Sequence, residues 1–448
     1  LKSCTLKVAP PEPVNLPISP YPTQSVMDYT LDEEGNITSR MLFGRQHEKA
    51  QLQELVSGGF ANYRDAFVRG VRRAGKTSLL HYLGFYITHC CRQDGVLPVY
   101  VSCQDCADNR YIHNVFVCQV LDDLATSGLV DISTDAWAEL RRRWDLPPQA
   151  PDRTLGSLKT FFVELSQALG GKKLVLMLDE LDTLIQRFER DENVYNGLLS
   201  SLDGLLDDAN LHRYVHFILC GSNNLIRYQM DGGILHQAFQ WINSLEVGSL
   251  PYQDIKAMLC APCRELRYTL RYTEAALEYI YRFTGGAVWY TRLLGAALVD
   301  KLAAEQRSVV YPSDVCDCTA KVITITNCKQ FYEACGNPEK AVLQSLQRYT
   351  GHLDASAAPD EIRMGLPEGS DSLTLNSSLE LLQQLGLICQ LKDSSGTRYR
   401  FATEMHRQFF RSQYKGSDCE PSDDDQFRRP ARAARSSDAR LEELAGLL

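Results

Sequence analysis

The chain has 448 residues, of which 44% are hydrophobic and 23% charged, and it carries a formal net charge of −9. That length supports two to four domains with cores of their own, and the negative charge argues against a protein that coats nucleic acid through bulk electrostatics while leaving room for a local basic face. No apolar run approaches the roughly 18 residues of a membrane-spanning helix, and the proline-rich start lacks the apolar centre of a secretory signal, so a cytoplasmic setting is expected.

Residues 1–41 read as an extended leader, with prolines at 10, 11, 13, 17, 20 and 22. The first residue, Leu1 in place of Met, reads as the start of a fragment or of a processed product, and the strand-like TLKV either packs on the core or is the last strand of an upstream domain. From Leu42 a short turn leads into a helix with apolar positions at Leu52 and Leu55. Strand-like and helix-like segments then alternate: AFVRG (66–70), the helix KTSLLHYLGFYITHC, LPVYVSC (97–103), helices through LDDLAT and LGSLKTFFVELSQAL, KKLVLMLDE (172–180), the helix VYNGLLSSLDGLLDD, YVHFILCGS (214–222) and the weaker SLEVGSL (244–250). Buried apolar strands alternating with helices predict a parallel sheet covered on both faces over 42–250.

Past Pro251 the strand pattern stops, and QDIKAML, EAALEYIYRFTG and TRLLGAALVDKLAAEQ predict a helical lid over 251–312. Helices followed by the hairpin LGLICQLKDSSGTRYRFAT and the helix EMHRQFFRSQY fit a winged-helix-like domain over 313–414. The acidic and basic blocks of 415–448 read as a disordered tail. The fifteen cysteines are odd in number and scattered through apolar segments, which reads as reduced thiols. Two CxxC pairs, Cys103/Cys106 and Cys260/Cys263, and a CxC at Cys316/Cys318 are present, but nothing in the spacing brings them together as a four-ligand zinc site.

Gly70-Val-Arg-Arg-Ala-Gly75-Lys76-Thr77 matches G-x-x-x-x-G-K-[ST] and stands between a strand and a helix. The loop glycines let backbone N–H groups turn towards phosphate oxygens, and the helix that follows offers its positive end to the same anion. Lys76 would reach the β- and γ-phosphates, and the Thr77 hydroxyl would ligate Mg²⁺. At the tip of the most continuous apolar strand, Asp179 is placed to hold Mg²⁺ and Glu180 to position the attacking water. A helix-capping role for Asp179, Glu180 and Asp182 is the plainer alternative. Ser222 or Asn223, at the tip of the next strand, could touch the γ-phosphate or that water. Arg72, Arg73, Arg227 and Arg292 are the arginines considered for the transition state, and none is favoured over surface solvation.

Together these residues resemble the STAND-type and archaeal-ATPase-like branch of the P-loop NTPases, relatives of AAA+ proteins and of the Orc/Cdc6 initiators. Phe43-Gly44-Arg45 with Glu48 resembles a GRxxE element that lies near the adenine, VRGVRRAGKTSLL its phosphate loop, LMLDELD its Walker B strand and ILCGSNN its polar-tipped strand. FTGGAVWYTRLLG is similar to a TGGxP lid segment, with Ala287-Val288 after the two glycines where relatives often carry proline. The resemblance implies a sheet of order 5-1-4-3-2, an ATP/ADP switch with a helical lid and a winged helix, slow hydrolysis, and self-association or a protein partner. It places Phe43, Gly44, Arg45, Gly70, Arg73, Ala74, Gly75, Lys76, Thr77 and Ser78 around the nucleotide.

Two other readings stand beside this one. A DNA-associated ATPase acting through the winged helix is weakened by the expected recognition helix, 372–386, which contains no Lys or Arg; Lys392, Arg398 and Arg400 of the wing form a thin basic patch. A scaffold that holds ATP without hydrolysing it is weakened by the presence of Glu180.

Overall fold

The computed structural model describes residues 21, 29–34, 36–39, 42–71, 73–91, 95–104, 112–145, 155–183, 204–222, 242–265, 267, 269–325, 332, 335–351, 355–367, 372–393 and 396–413. The expected tail and most of the helix expected at 194–208 lie outside them. The chain divides into two compact units, one running from Ser25 to Gly248 and the other comprising Leu1–Gln24 with the residues from Ser249 onward.

The first unit opens on a hairpin, β1 (Tyr29–Leu31) paired antiparallel with β2 (Ile37–Ser39), inside the stretch expected as extended leader. The hairpin is anchored by Tyr29. Its ring stands edge-on to Tyr82, centroids 6.0 Å apart, and its hydroxyl donates to the Ser78 carbonyl at 2.5 Å. Helix α1 (Gln46–Leu55) follows and buries the expected Leu52 and Leu55. The expected strands then appear as β3 (Ala66–Gly70), β4 (Val96–Ser102), β5 (Lys173–Asp179), β6 (Val215–Ser222) and β7 (Asn243–Val247), all parallel, in the order β4-β5-β6-β3-β7. Counted from the first core strand, this is 5-1-4-3-2.

These strands are apolar on both sides because both faces are covered. Phe67, Leu174, Leu176, Leu178, Phe217 and Leu219 join one core. The alternate positions Ala66, Val68, Val175, Met177, Ile218 and Cys220 join the other, with Leu79, Leu80, Leu83 and Ile87 of α2 (Lys76–Cys90). Helices α3 (Ile112–Thr126), α4 (Asp135–Trp144) and α5 (Leu155–Ala168) supply the first core. The sequence reading did not include α4. Thr134 caps it by accepting from the Trp137 N–H at 3.2 Å, and Trp137, Leu140 and Trp144 form its buried stripe.

The second unit holds α6 (Tyr252–Glu265), β8 (Arg271–Tyr272), α7 (Glu274–Thr284), α8 (Val288–Ala304), β9 (Val309–Val310) and α9 (Pro312–Ile325). Helix α9 packs on α7 and α8. Tyr21, also expected in an extended leader, is buried here; its hydroxyl donates to the Leu259 carbonyl at 2.8 Å and lies 2.7 Å from the Tyr272 hydroxyl. Helices α10 (Asn337–Tyr349), α11 (Pro359–Met364) and α12 (Ser372–Gln384) lead to the hairpin β10 (Ile388–Asp393) and β11 (Gly396–Phe401), then α13 (Glu404–Gln413). A bridge from Ala357 to Tyr399 extends the hairpin. The order is thus three helices, a hairpin and a closing helix.

Candidate functional site: the phosphate loop and its carboxylates

Strand β3 ends at Gly70, where the chain turns into α2. A Cβ on Gly70 would collide with the backbone carbonyl of Val247 on the neighbouring β7, so only glycine fits. Gly75 starts α2 from φ +94°, a conformation closed to most side chains. Arg73 takes φ +65° within the loop, and the Ala74 N–H donates to the Val71 carbonyl at 3.2 Å. The Lys76 ammonium is held in the curl, donating to the Gly70 and Val71 carbonyls at 3.0 Å each. An ammonium has three donors, so one remains for an anion. Ser78 is buried, and its carbonyl is the acceptor for Tyr29.

Asp179, at the tip of β5, is almost fully buried. Its Oδ2 accepts from the Thr77 hydroxyl at 2.6 Å and from the Tyr100 hydroxyl at 3.0 Å, and its Oδ1 accepts from the Glu180 N–H at 2.8 Å. Burial, reinforced by the Asp179 charge, pushes the Tyr100 phenol well above its ordinary range, so Tyr100 remains a donor at physiological pH. Burial also lowers His81, whose ring lies 4.8 Å from that of Tyr100; the nearby Asp179 charge opposes the shift. Glu180 follows with φ +58°, which costs a non-glycine residue on the order of 1 kcal/mol.

At the tip of β6, the Ser222 N–H and hydroxyl both donate to Asp182, at 3.0 and 2.8 Å, and both residues are buried. The strand tip is thereby tied to the turn that follows β5. Asn223, Arg72 and Arg227 lie outside the described residues, and Arg292 is buried in the second unit.

The Phe43-Gly44-Arg45 element precedes α1. Phe43 is half-buried, while Gly44 and Arg45 both take φ +62°. The buried Arg45 guanidinium pairs with Glu48 at 2.7 Å and donates to the carbonyls of Ala74, in the loop, at 3.0 Å and of Gly248, past β7, at 2.5 Å. It clamps three separate segments around the loop. Tyr100 and His81 did not emerge from the sequence as neighbours of the site, and Asp182 emerged only as a helix-capping candidate. The polar Tyr100 within an otherwise apolar strand was the available signal for the first of them.

A parallel sheet of order 5-1-4-3-2 with a glycine-bounded loop between its first strand and α2 defines an Orc/Cdc6-like P-loop ATPase fold. Solved structures with this fold align along most of the chain. The Walker-type ATPase PABY2304 of Pyrococcus abyssi superposes with a TM-score of 0.54 at 14% identity, covering 83% of this chain and 96% of its own. The ORC2 protein of Aeropyrum pernix, solved as ADPNP–ADP complexes, also gives 0.54, at 16% identity, covering 87% and 100%. No family model and no curated protein matches the sequence.

Proposed function

We propose that the chain is an ATP-binding, slowly hydrolysing molecular switch of the STAND kind, whose nucleotide state controls its conformation, its assembly or a linked effector. The observation that carries this reading is the meeting of Thr77 and Asp179 at 2.6 Å. It unites the hydroxyl and the carboxylate that a hydrated Mg²⁺ needs, one from the phosphate-loop helix and one from the neighbouring strand tip. Bound Mg²⁺ would neutralise phosphate charge. The chain's own residues do the rest: the loop N–H groups and Lys76 bind the phosphates, Glu180 orients the attacking water and accepts its proton, and the Asp182–Ser222 pair holds the strand tip beside that water. Gly44 and Arg45, with Phe43, would shape the base-binding side, and Arg45 would act by holding the loop through Ala74.

An adenine nucleotide is favoured because the Aeropyrum ORC2 protein, which shares this fold, was solved with ADPNP and ADP. A protein partner or self-association fits the second unit better than DNA. The recognition-helix position, α12, has no basic residue. Arg398 of the wing is committed to the Ser356 carbonyl at 2.6 Å and to Glu361 at 3.0 Å. Met364 and Leu373, by contrast, are 74% and 75% exposed on the same module.

Equilibrium binding of a fluorescent ATP analogue, with Mg²⁺ and with chelator, tests the reading. It predicts saturable binding in wild type and loss of it in Lys76→Ala. Equal binding by the two proteins, or none by either, contradicts it.

A further inference from the structure

At the opposite edge of the core sheet from the phosphate loop, three metal-ligating side chains converge. Asp65 is the residue before β3, His216 lies near the start of β6, and His212 sits in the short turn Leu211–Arg213 that feeds β6. The parallel register, with Ala66 opposite Ile218, sets Asp65 beside Phe217. The Asp65 carboxylate lies 2.9 Å from His212 Nε2 and 3.2 Å from His216 Nδ1. The two imidazoles stack, centroids 5.2 Å apart and planes 8° from parallel, so both turn a nitrogen edge towards the carboxylate.

We propose that Asp65, His212 and His216 form a binding site for a divalent first-row transition metal, with zinc the best match. The three ligand atoms lie within 4.8 Å of one another. His212 Nε2 faces Oδ2 and His216 Nδ1 faces Oδ1, at separations near the ~3.3 Å expected between ligands each about 2.05 Å from a tetrahedral ion, so the carboxylate would turn one oxygen to the ion on binding. Two imidazoles and one carboxylate suit zinc, nickel or copper, whereas magnesium prefers oxygen ligands. Oδ1 of the carboxylate also accepts from the Phe217 N–H at 2.8 Å, the kind of support that accompanies metal-ligating groups.

Phe60 stands against the His216 ring at 4.8 Å and Tyr63 at 6.1 Å, forming an apolar wall on one side, with the Lys173 ammonium over the Phe60 ring at 4.9 Å. Asp207 and Asp208 add negative field near His212. His212 retains 28% side-chain exposure, which gives the ion a route in and leaves a fourth position for water. The site is distinct from the phosphate site, because the five residues of β3 separate the two by about 17 Å at ~3.3 Å per residue. An ion here would tie together the starts of β3 and β6, adjacent interior strands whose far ends carry Gly70 and Ser222.

The test uses the full chain, stripped with chelator and titrated with Co²⁺, read by visible absorption and repeated with His212→Ala, Asp65→Asn and Thr77→Val. Wild type and Thr77→Val should develop the visible bands of nitrogen- and oxygen-ligated cobalt without a thiolate charge-transfer band. His212→Ala, a half-exposed position whose loss leaves the core intact, should bind more than about tenfold more weakly at unchanged circular dichroism. Zn²⁺ should raise the unfolding temperature of wild type and leave that of His212→Ala in place. Identical Co²⁺ binding by wild type and His212→Ala, a spectrum dominated by thiolate, or no binding at all would overturn the proposal.

Discussion

Thr77 Oγ1 stands 2.6 Å from Asp179 Oδ2, joining the first turn of α2 to the tip of β5 across 102 residues of sequence. Both side chains come from the edge of the sheet where the phosphate loop turns. If they hold Mg²⁺ there, Thr77→Val should weaken binding of ATP with Mg²⁺ by about tenfold, a loss of ~1.4 kcal/mol. Binding measured in chelator should change little. Calorimetric titration under the two conditions separates this from a general loss of fold, which would lower both.

Gly70 should tolerate no side chain. Gly70→Ala sets a Cβ against the Val247 carbonyl, an obstruction in backbone that cannot rotate away. The expected cost is about 1–3 kcal/mol, read as a lower urea midpoint, with weaker nucleotide binding as the loop shifts. An unchanged midpoint would contradict the close approach of β3 and β7.

The buried Arg45 pairs with the half-buried Glu48 in a cluster that also engages Ala74 and Gly248. Arg45→Met removes three charge-assisted hydrogen bonds and leaves the Ala74 carbonyl unpaired, and should cost about 1–3 kcal/mol. Adding Glu48→Met should recover part of that stability while leaving nucleotide binding impaired, because the Ala74 carbonyl still lacks its donor. Denaturation and binding of the single and double variants form the cycle that checks it.

His406 in α13 is buried, and burial lowers it to about 4. Its folded value lies below the unfolded value near 6.5, so its contribution is present above about pH 6.5 and lost as pH falls towards 4. The loss is on the order of 3 kcal/mol. Unfolding of wild type against His406→Leu between pH 7 and pH 4 should show a smaller decline in the variant; parallel declines would contradict the assignment.

Local pattern made the core strands legible. Residues 66–70, 173–179 and 215–222 are apolar because both faces of the sheet are covered, and the loop motif between β3 and α2 is contiguous in sequence. The elements that escaped reading depend on distant partners. The β1–β2 hairpin has three-residue strands and is fixed by Tyr29 against α2, which nothing near Tyr29 announces. Helix α4 hid among polar residues, although Thr134 followed by Trp137, Leu140 and Trp144 carried both its cap and its stripe. The Asp182–Ser222 pair spans 40 residues and the His212–Asp65 contact 147, so only the folded sheet brings them together.

The most direct test of the central claim is single-turnover hydrolysis of radiolabelled ATP by wild type, Lys76→Ala and Glu180→Gln, with size followed by light scattering. The account predicts slow release of phosphate by wild type, none by Lys76→Ala, and a Glu180→Gln protein that binds ATP, does not cleave it and remains in its ATP-dependent assembly. Hydrolysis by Glu180→Gln at the wild-type rate, or a wild type whose size and ATP content never change, would contradict it.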